Sequence, residues 1–250
     1  DLDDAIALYE TSGLSRNDVY SSASSTNCFP DINTAYAVYA RAALTKQDYP
    51  TALNYAKLAR NGYALMSVAD YKAGFAAPTS EWIWSVYNDE TENIFYYGWQ
   101  LFMACNGYYA QNGINVCINR DLIEQFPDTD IRKSLFLTEK TFLPEGKSFS
   151  DVVAGDEAGT SNGMFSDEAA YDKAATYVKQ TVPAALEQNF AYANLKFQCT
   201  AQPAVGCQPI FRASEMLLTE AEAAFFMQNE TDAQNALIEL NKTSGRDESY

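Results

Sequence analysis

The chain has 250 residues, of which 47% are hydrophobic, which is enough for one large globular domain or two smaller ones. Its net charge of −16 at pH 7 argues against charge-driven binding to nucleic acid or to an anionic membrane, because phosphates would be repelled. No apolar run approaches the ~20 residues that span a bilayer. The chain has no histidine, which excludes hydroxyl and thiol triads built on an imidazole base.

Residues 31–63 form the most regular stretch, and they predict two amphipathic helices joined by a short turn. Asp31 stands where an N-cap would accept the unpaired amide hydrogens of the first helix. Pro50 suits the first turn of the second helix because it has no N–H to leave unused, and Asn61-Gly62 ends that helix. The small alanine side chains allow close approach, so the stretch predicts a helical hairpin.

This hairpin resembles the helix–turn–helix unit of a tetratricopeptide repeat, although the usual glycine of the turn is missing. A second copy is predicted near residues 209–244. The aligned pairs are Gln47 with Gln228, Ala52 with Ala233, Asn54 with Asn235, Ala40 with Ala221, and Ala43 with Ala224. Such repeats need neighbours that bury their faces, so the distance between the copies predicts a different structure for the intervening chain. That part is a loop- and strand-rich insert over 75–200.

Within the insert, residues 81–87 and 93–99 predict two strands because both are rich in β-branched and aromatic side chains. The insert is also predicted to contain short helices over 119–126 and 129–136, an acidic loop over 144–168, a helix over 167–188 and a strand over 195–199. Outside the insert, a helix is predicted over 3–12, a long helix from about 209 to 228, and a last helix over 232–242. Both ends of the sequence indicate truncation, because the first helix has no preceding partner and the last residues form a polar tail.

The five cysteines leave at least one thiol outside any intramolecular disulfide. Cys199 and Cys207 bracket a short turn, and Cys105 and Cys117 flank a glycine-containing segment, so a disulfide is possible at either place. Buried thiols that act as small apolar side chains are the alternative. Neither spacing matches a zinc site, and the sequence predicts no bound metal and no cofactor.

Several stretches, taken in order, resemble the SusD/RagB family of starch-utilisation outer-membrane lipoproteins from Bacteroidetes. They are PDINTAYAVYARAALTKQDYPTALNYAKLA at 30–59, SEWIWSVY at 80–87, INRDLIEQFPDTDIRKSLF at 118–136, PIFRASEMLLTEAEAAF at 209–225, and ALIELNKTSGR at 236–246. The last two carry the strongest part of the likeness, with Arg212 and Glu215 three residues apart and Arg246 after Gly245.

The resemblance implies a mostly α fold in which tetratricopeptide-like helical pairs form an α–α superhelix beside a small irregular strand- and loop-rich part. Residues 1–250 would then be one SusD-like region of a longer protein. Such a protein would be lipid-anchored at the cell surface in the outer membrane. It would capture an oligosaccharide or peptide and pass it to a SusC-like TonB-dependent transporter without being an enzyme.

The tryptophans are the candidate ligand contacts, because an indole packs against the C–H face of a sugar ring while nearby polar groups meet its hydroxyls. The candidates are Trp82, Trp84 and Trp99. The alternative is that large aromatic side chains on short strands belong to the core. Arg212 and Glu215 are predicted to form a structural ion pair, because residues three apart on a helix are neighbours.

Two other functions compete with nutrient capture. One is a protein–protein interaction scaffold, since the grooves of helical repeats bind other proteins. The other is a glycoside hydrolase, because a pair of carboxylates ~5–9 Å apart is a spatial feature that sequence spacing does not reveal. The acidic loop carries possible calcium ligands, but its spacing does not match the regular calcium-binding loop, and a solvated loop is preferred.

Overall fold

The structure is a computed structural model of the chain. It describes residues 1–15, 28–75, 77–88, 102–104, 117–136, 194, 196–197 and 206–250. The chain divides into two compact units. The first unit contains Asp1–Asp70, Ala77–Tyr87 and Cys207–Tyr250, and the second contains Tyr71–Ala76 and Asn88–Gly206.

The described part is mostly helical, as the sequence predicts. In chain order the elements are α1 (Leu2–Ser12), α2 (Ile32–Thr45), α3 (Tyr49–Arg60), α4 (Val68–Tyr71), β1 (Trp82–Asn88), α5 (Arg120–Glu124), a 3₁₀ helix (Ile131–Leu135), β2 (Gly206–Arg212), α6 (Ala213–Phe226), α7 (Glu230–Ile238) and a π-helical turn (Glu239–Thr243). No helix in this described part is long and apolar enough to cross a bilayer.

Helices α2 and α3 form the predicted hairpin. The Asp31 side chain caps α2 by accepting from the Thr34 amide, and Asp48 caps α3 in the same way. Fully buried alanines from both helices meet in one core cluster with Ile83, Phe211 and Met216; they are Ala37, Ala40, Ala56 and Ala59. Because each alanine contributes only a methyl group, the two helix backbones approach closely.

The second hairpin, α6 and α7, repeats the turn of the first. Gln47 and Gln228 both take a left-handed backbone, with φ of 62° and 61°. The next amide in each turn donates back to an alanine carbonyl at 2.9 Å, from Asp48 to Ala43 and from Asn229 to Ala224. The aligned glutamines therefore mark the same structural position, and each supplies the conformation for which repeats of this kind usually use glycine.

Within the described residues β1 pairs with β2, and this pairing makes the predicted start of the long helix near residue 209 wrong. The long helix expected from about residue 209 begins only at Ala213, because residues 206–212 pair with β1 instead. The Ala213 amide donates to the Glu81 carbonyl at 2.9 Å, where the strand ends and α6 begins. The partner predicted for β1, residues 93–99, lies outside the described residues.

The Glu81 carboxylate holds the centre of the first unit together. It has no exposed surface and accepts from the Met66 amide at 2.8 Å, from Arg212 at 3.0 Å and from Arg246 at 2.8 Å. The Ser214 hydroxyl also donates to it. Buried charges are stable only when they are paired and hydrogen-bonded, and this carboxylate meets both conditions. It links a loop, the sheet, the start of α6 and the end of the chain.

The second unit contains the two short helical segments that the sequence predicts on either side of Pro127. They are α5 and the 3₁₀ helix, and an isolated β-bridge pairs Phe136 with Asn194. The Lys196 ammonium lies 5.0 Å from the centre of the Phe75 ring and 5.1 Å from that of Phe197. The predicted acidic loop, the helix over 167–188 and most of the strand over 195–199 lie outside the described residues.

Candidate functional site

The structure places the candidate tryptophans in different environments. Trp82 on β1 is fully buried, and Trp84, two residues further along the same strand, is half-buried. Trp99 lies outside the described residues. Of the two described tryptophans, only Trp84 has surface that a ligand can reach. Its contact with a ligand stays a prediction.

The Trp84 ring is held in a fixed orientation. Its Nε1 donates to the Cys28 carbonyl at 3.2 Å, and its ring stacks on Phe211 with centroids 6.3 Å apart and planes 22° apart. The strand continues into Val86 and Tyr87, which are 40% and 46% exposed. Trp84 and Val86 lie on one face of the strand and Tyr87 lies on the other. We call Trp84 and Val86 the Trp84 surface. Its anchored indole would lose little conformational freedom when a ligand binds.

A charged pair lies against the other ring of this stack. The Arg41 guanidinium sits 3.8 Å from the centre of the Phe211 ring. It donates to both carboxylate oxygens of Glu215, at 2.7 and 2.8 Å, and to the Ile210 carbonyl at 2.9 Å. Such two-pronged pairing neutralises both groups locally. Phe211 is itself buried, so what this end of β2 exposes is part of the Arg41–Glu215 pair, in which the two charges balance.

The ion pair predicted between Arg212 and Glu215 is absent. Arg212 has an extended backbone with φ of −132°, because it ends β2 and precedes the first turn of α6. Residues three apart are neighbours only within a helix, so Arg212 does not meet Glu215, and its side chain reaches Glu81 instead. Glu215 is inside the helix and pairs with Arg41 of α2. The two residues thus hold α6 to two different neighbours.

A small pocket of about 190 Å³ lies between the two hairpins, where α3, α6 and α7 meet. We call it the interhelix pocket; its lining residues are Leu53, Lys57, Arg60, Glu220, Asp232, Asn235, Ala236 and Glu239. Arg60 spans it, bonding to Glu220 on one side and to Glu239 at 3.0 Å on the other. Burial raises the pKa of the Glu220 carboxyl, and Arg60 opposes that rise. The pocket is structurally an ion-pair junction between repeats.

A larger depression of about 440 Å³ lies in the second unit. We call it the Asp128 depression; it is lined by Lys72, Asp128, Thr129, Asp130, Ile131, Lys133 and Ser134. Its two aspartates are paired, with Lys133 bonding to Asp128 at 2.5 Å and Arg132 to the buried Asp130 at 2.6 Å. The volume lies within the range of small-molecule sites. No sequence pattern predicts this depression, because its residues alternate between loop and short helix without a recognisable spacing.

The cysteines and acidic residues offer no metal centre in the described part of the chain. No group of three or more Cys, Asp or Glu suited to a metal ion occurs there. Cys105 and Cys199, which belong to the two cysteine pairs considered as disulfides, lie outside the described residues, as does the acidic loop. Cys117 is exposed and Cys207 is buried.

The chain resembles known proteins in its fold. No protein-family model matches the chain, and no curated protein matches its sequence. Solved structures do match. A SusD-like carbohydrate binding protein from Bacteroides vulgatus superposes with a TM-score of 0.57 at 21% identity, over 88% of this chain and 38% of that one.

Two further solved structures match the fold of the chain. A SusD superfamily protein from Bacteroides vulgatus gives a TM-score of 0.60 at 16% identity, over 100% of this chain and 47% of that one. Another from Bacteroides thetaiotaomicron gives 0.56 at 18% identity, over 98% and 46%. The chain therefore has the SusD-like fold, and it spans less than half the length of each of these structures. The resemblance predicted from the sequence is confirmed as a resemblance of fold.

Proposed function

We propose that the chain belongs to a cell-surface protein that captures oligosaccharides and passes them to a SusC-like TonB-dependent transporter without catalysing a reaction. The observation that carries this proposal is the fold match over 88% of the chain to a SusD-like carbohydrate binding protein. Under this proposal residues 1–250 are one SusD-like region, with helical pairs near 31–63 and 209–244 and an insert over 75–200. The longer protein would be lipid-anchored in the outer membrane.

The proposed ligand contact is the Trp84 surface. A sugar ring would pack its C–H face on the exposed part of the indole, and hydroxyls would reach polar groups beside it. The net charge of −16 favours an uncharged glycan over an acidic one. Trp99 remains a second proposed contact. Trp82 is fully buried, so it would act by holding β1 in place under the surface.

The test is titration of the 250-residue protein with a panel of neutral oligosaccharides, followed by tryptophan fluorescence and calorimetry. Trp84→Ala is expected to weaken binding at least about tenfold, which corresponds to about 1.4 kcal/mol. The matched control is Phe225→Ala, which removes another exposed aromatic ring, on α6. Equal affinity of wild type and a folded Trp84→Ala protein would remove Trp84 from the site.

The same titration separates the competing functions. A capture protein shows saturable binding and no new reducing ends, a hydrolase releases product, and a protein-binding scaffold shows neither. The Asp128 depression is the alternative location for the ligand, and Thr129→Ala with Ser134→Ala tests it. Loss of affinity in that double variant, with Trp84→Ala unaffected, would move the site to the second unit.

A further inference from the structure

We propose that Cys28 and Cys207 are a modification site, and that they form an intramolecular disulfide when the folded protein meets a small-molecule disulfide oxidant. The inference is independent of the ligand proposed above. The sequence suggests Cys199 as the partner of Cys207, whereas this proposal pairs Cys207 with Cys28. It rests on the position of the Cys28 and Cys207 thiols, which both lie beside Ser85.

The geometry brings the two thiols together from distant parts of the sequence. The Cys28 Sγ lies 3.5 Å from the Ser85 Oγ on β1, and the Cys28 carbonyl accepts from Trp84 on the same strand. Cys207 is on β2, the strand paired with β1, and its thiol lies close enough to Ser85 and Cys28 that both affect its pKa. Cys28 is thus fixed against the sheet by its backbone as well as by its side chain. The two sulfur atoms are neighbours in the folded protein.

The two thiols differ in reactivity, which sets the order of the reaction. Cys28 is half-buried and Cys207 is buried. Burial raises the pKa of the Cys207 thiol to about 12, with the neighbouring Cys28 as the second cause. The thiolate is the attacking species in disulfide exchange, so Cys207 is a slow first nucleophile. Cys28 meets the oxidant first.

With oxidised glutathione as the oxidant, the reaction has two steps. The Cys28 thiolate attacks one sulfur of glutathione disulfide, and one glutathione thiolate leaves. Cys207 then gives its proton to solvent and attacks the Cys28 sulfur, which expels the second glutathione. The two protein thiols lose two electrons, and one glutathione disulfide gains them to become two thiols.

The experiment uses the folded 250-residue protein with Cys105, Cys117 and Cys199 replaced by serine. It is incubated with oxidised glutathione, quenched with acid, and mapped by mass spectrometry without reduction. The expected product is one cross-linked peptide pair containing Cys28 and Cys207, with the loss of two hydrogen atoms. A protein that stops at glutathione bound to Cys28 would overturn the proposal.

A matched control variant carries Cys207→Ser in the same background, so that Cys28 is its one remaining cysteine. It should accumulate the glutathione adduct and form no internal cross-link under the same conditions. A second measurement follows the closing step after a pH jump. Its rate should rise roughly tenfold per pH unit between pH 7 and 9, as the thiolate fraction of Cys207 rises. A rate that does not change with pH would contradict the assignment of Cys207 as the second nucleophile.

Discussion

The Arg246 guanidinium lies 2.8 Å from the Glu81 carboxylate, and the two side chains are 5% and 0% exposed. Arg246 follows the last helical turn of the chain, whereas Glu81 comes just before β1. Arg212 approaches the other oxygen of the same carboxylate at 3.0 Å. One buried acidic group is therefore shared by two guanidinium groups, and its loss would leave both of them in a site with little water.

Replacing Glu81 with glutamine should destabilise the first unit strongly. The change keeps the shape of the side chain but removes the charge that compensates Arg212 and Arg246. Breaking a buried ion pair in this way costs about 3–5 kcal/mol. Urea unfolding followed by circular dichroism would measure the free energy of unfolding. The control is Glu248→Gln, an exposed glutamate near the end of the chain, for which a change within about 0.5 kcal/mol is expected. Similar values for the two variants would contradict the role given to Glu81.

The packing of the first hairpin gives a second prediction. Ala40 is fully buried between α2 and its neighbours, whereas Ala42 on the same helix is exposed. Leucine at position 40 forces three additional heavy atoms into a filled space, at a cost of about 1–3 kcal/mol. Leucine at position 42 should change the unfolding free energy by less than about 0.5 kcal/mol. Thermal unfolding of the two variants side by side would show the difference, and a tolerated Ala40→Leu would mean that the helices are not in close contact.

Local sequence patterns reveal the helical hairpins of this protein but not its strand pairing. The first hairpin was predictable because its caps, its alanines and its ending residues are all encoded within 31–63. The second hairpin followed from its alignment with the first. Strand β2 was not predictable, because the residues that make it a strand belong to β1, more than a hundred positions earlier in the chain. A window of sequence contains no information about a partner at that distance.

The site depends on long-range contacts in the same way. The spacing of Arg212 and Glu215 indicated a mutual ion pair, but it could not show that the helix starts between them at Ala213. The burial of Trp82 and the partial exposure of Trp84 also depend on which surfaces cover β1. Alternation along a strand assigns residues to its faces, but it does not show which face is covered.

The two left-handed glutamines predict an unusual response to glycine. Gln47 and Gln228 have φ of 62° and 61°, a conformation that strains any residue with a Cβ atom by about 1 kcal/mol or more. Glycine relieves that strain in the folded state, but it also gives the unfolded chain more conformational freedom, which opposes folding. Gln47→Gly should therefore be neutral or stabilise the protein by up to about 1 kcal/mol. Lys46, with φ of −77°, gains nothing from glycine, and Lys46→Gly should destabilise by about 0.5–1 kcal/mol.

Measuring the midpoints of urea unfolding for these variants and for Gln228→Gly would test the equivalence of the two turns. The two glutamine variants should shift in the same direction and by similar amounts, because the turns share their hydrogen bonds as well as their φ angles. Opposite shifts at positions 47 and 228 would show that the turns are equivalent in shape but not in energy.

The interhelix pocket makes the stability of the protein depend on pH through Glu220. Burial raises the pKa of this carboxyl from its ordinary value of 4.5, and its pairing with Arg60 only partly offsets the rise. A carboxyl whose pKa is higher in the folded state than in the unfolded state binds its proton more readily when folded. Its contribution to stability is therefore fully present below pH 4.5 and is lost as the pH rises through the folded value.

Glu220→Gln removes this titration while it keeps the size of the side chain, so the difference in unfolding free energy between wild type and variant isolates it. Wild type should gain stability relative to Glu220→Gln as the pH is lowered from 7 toward 4. Glu222→Gln, an exposed position on the same helix, should not reproduce this slope. If wild type instead loses stability relative to Glu220→Gln on acidification, then Arg60 outweighs burial, and the pocket is held by an ionised pair whose carboxylate has a lowered pKa.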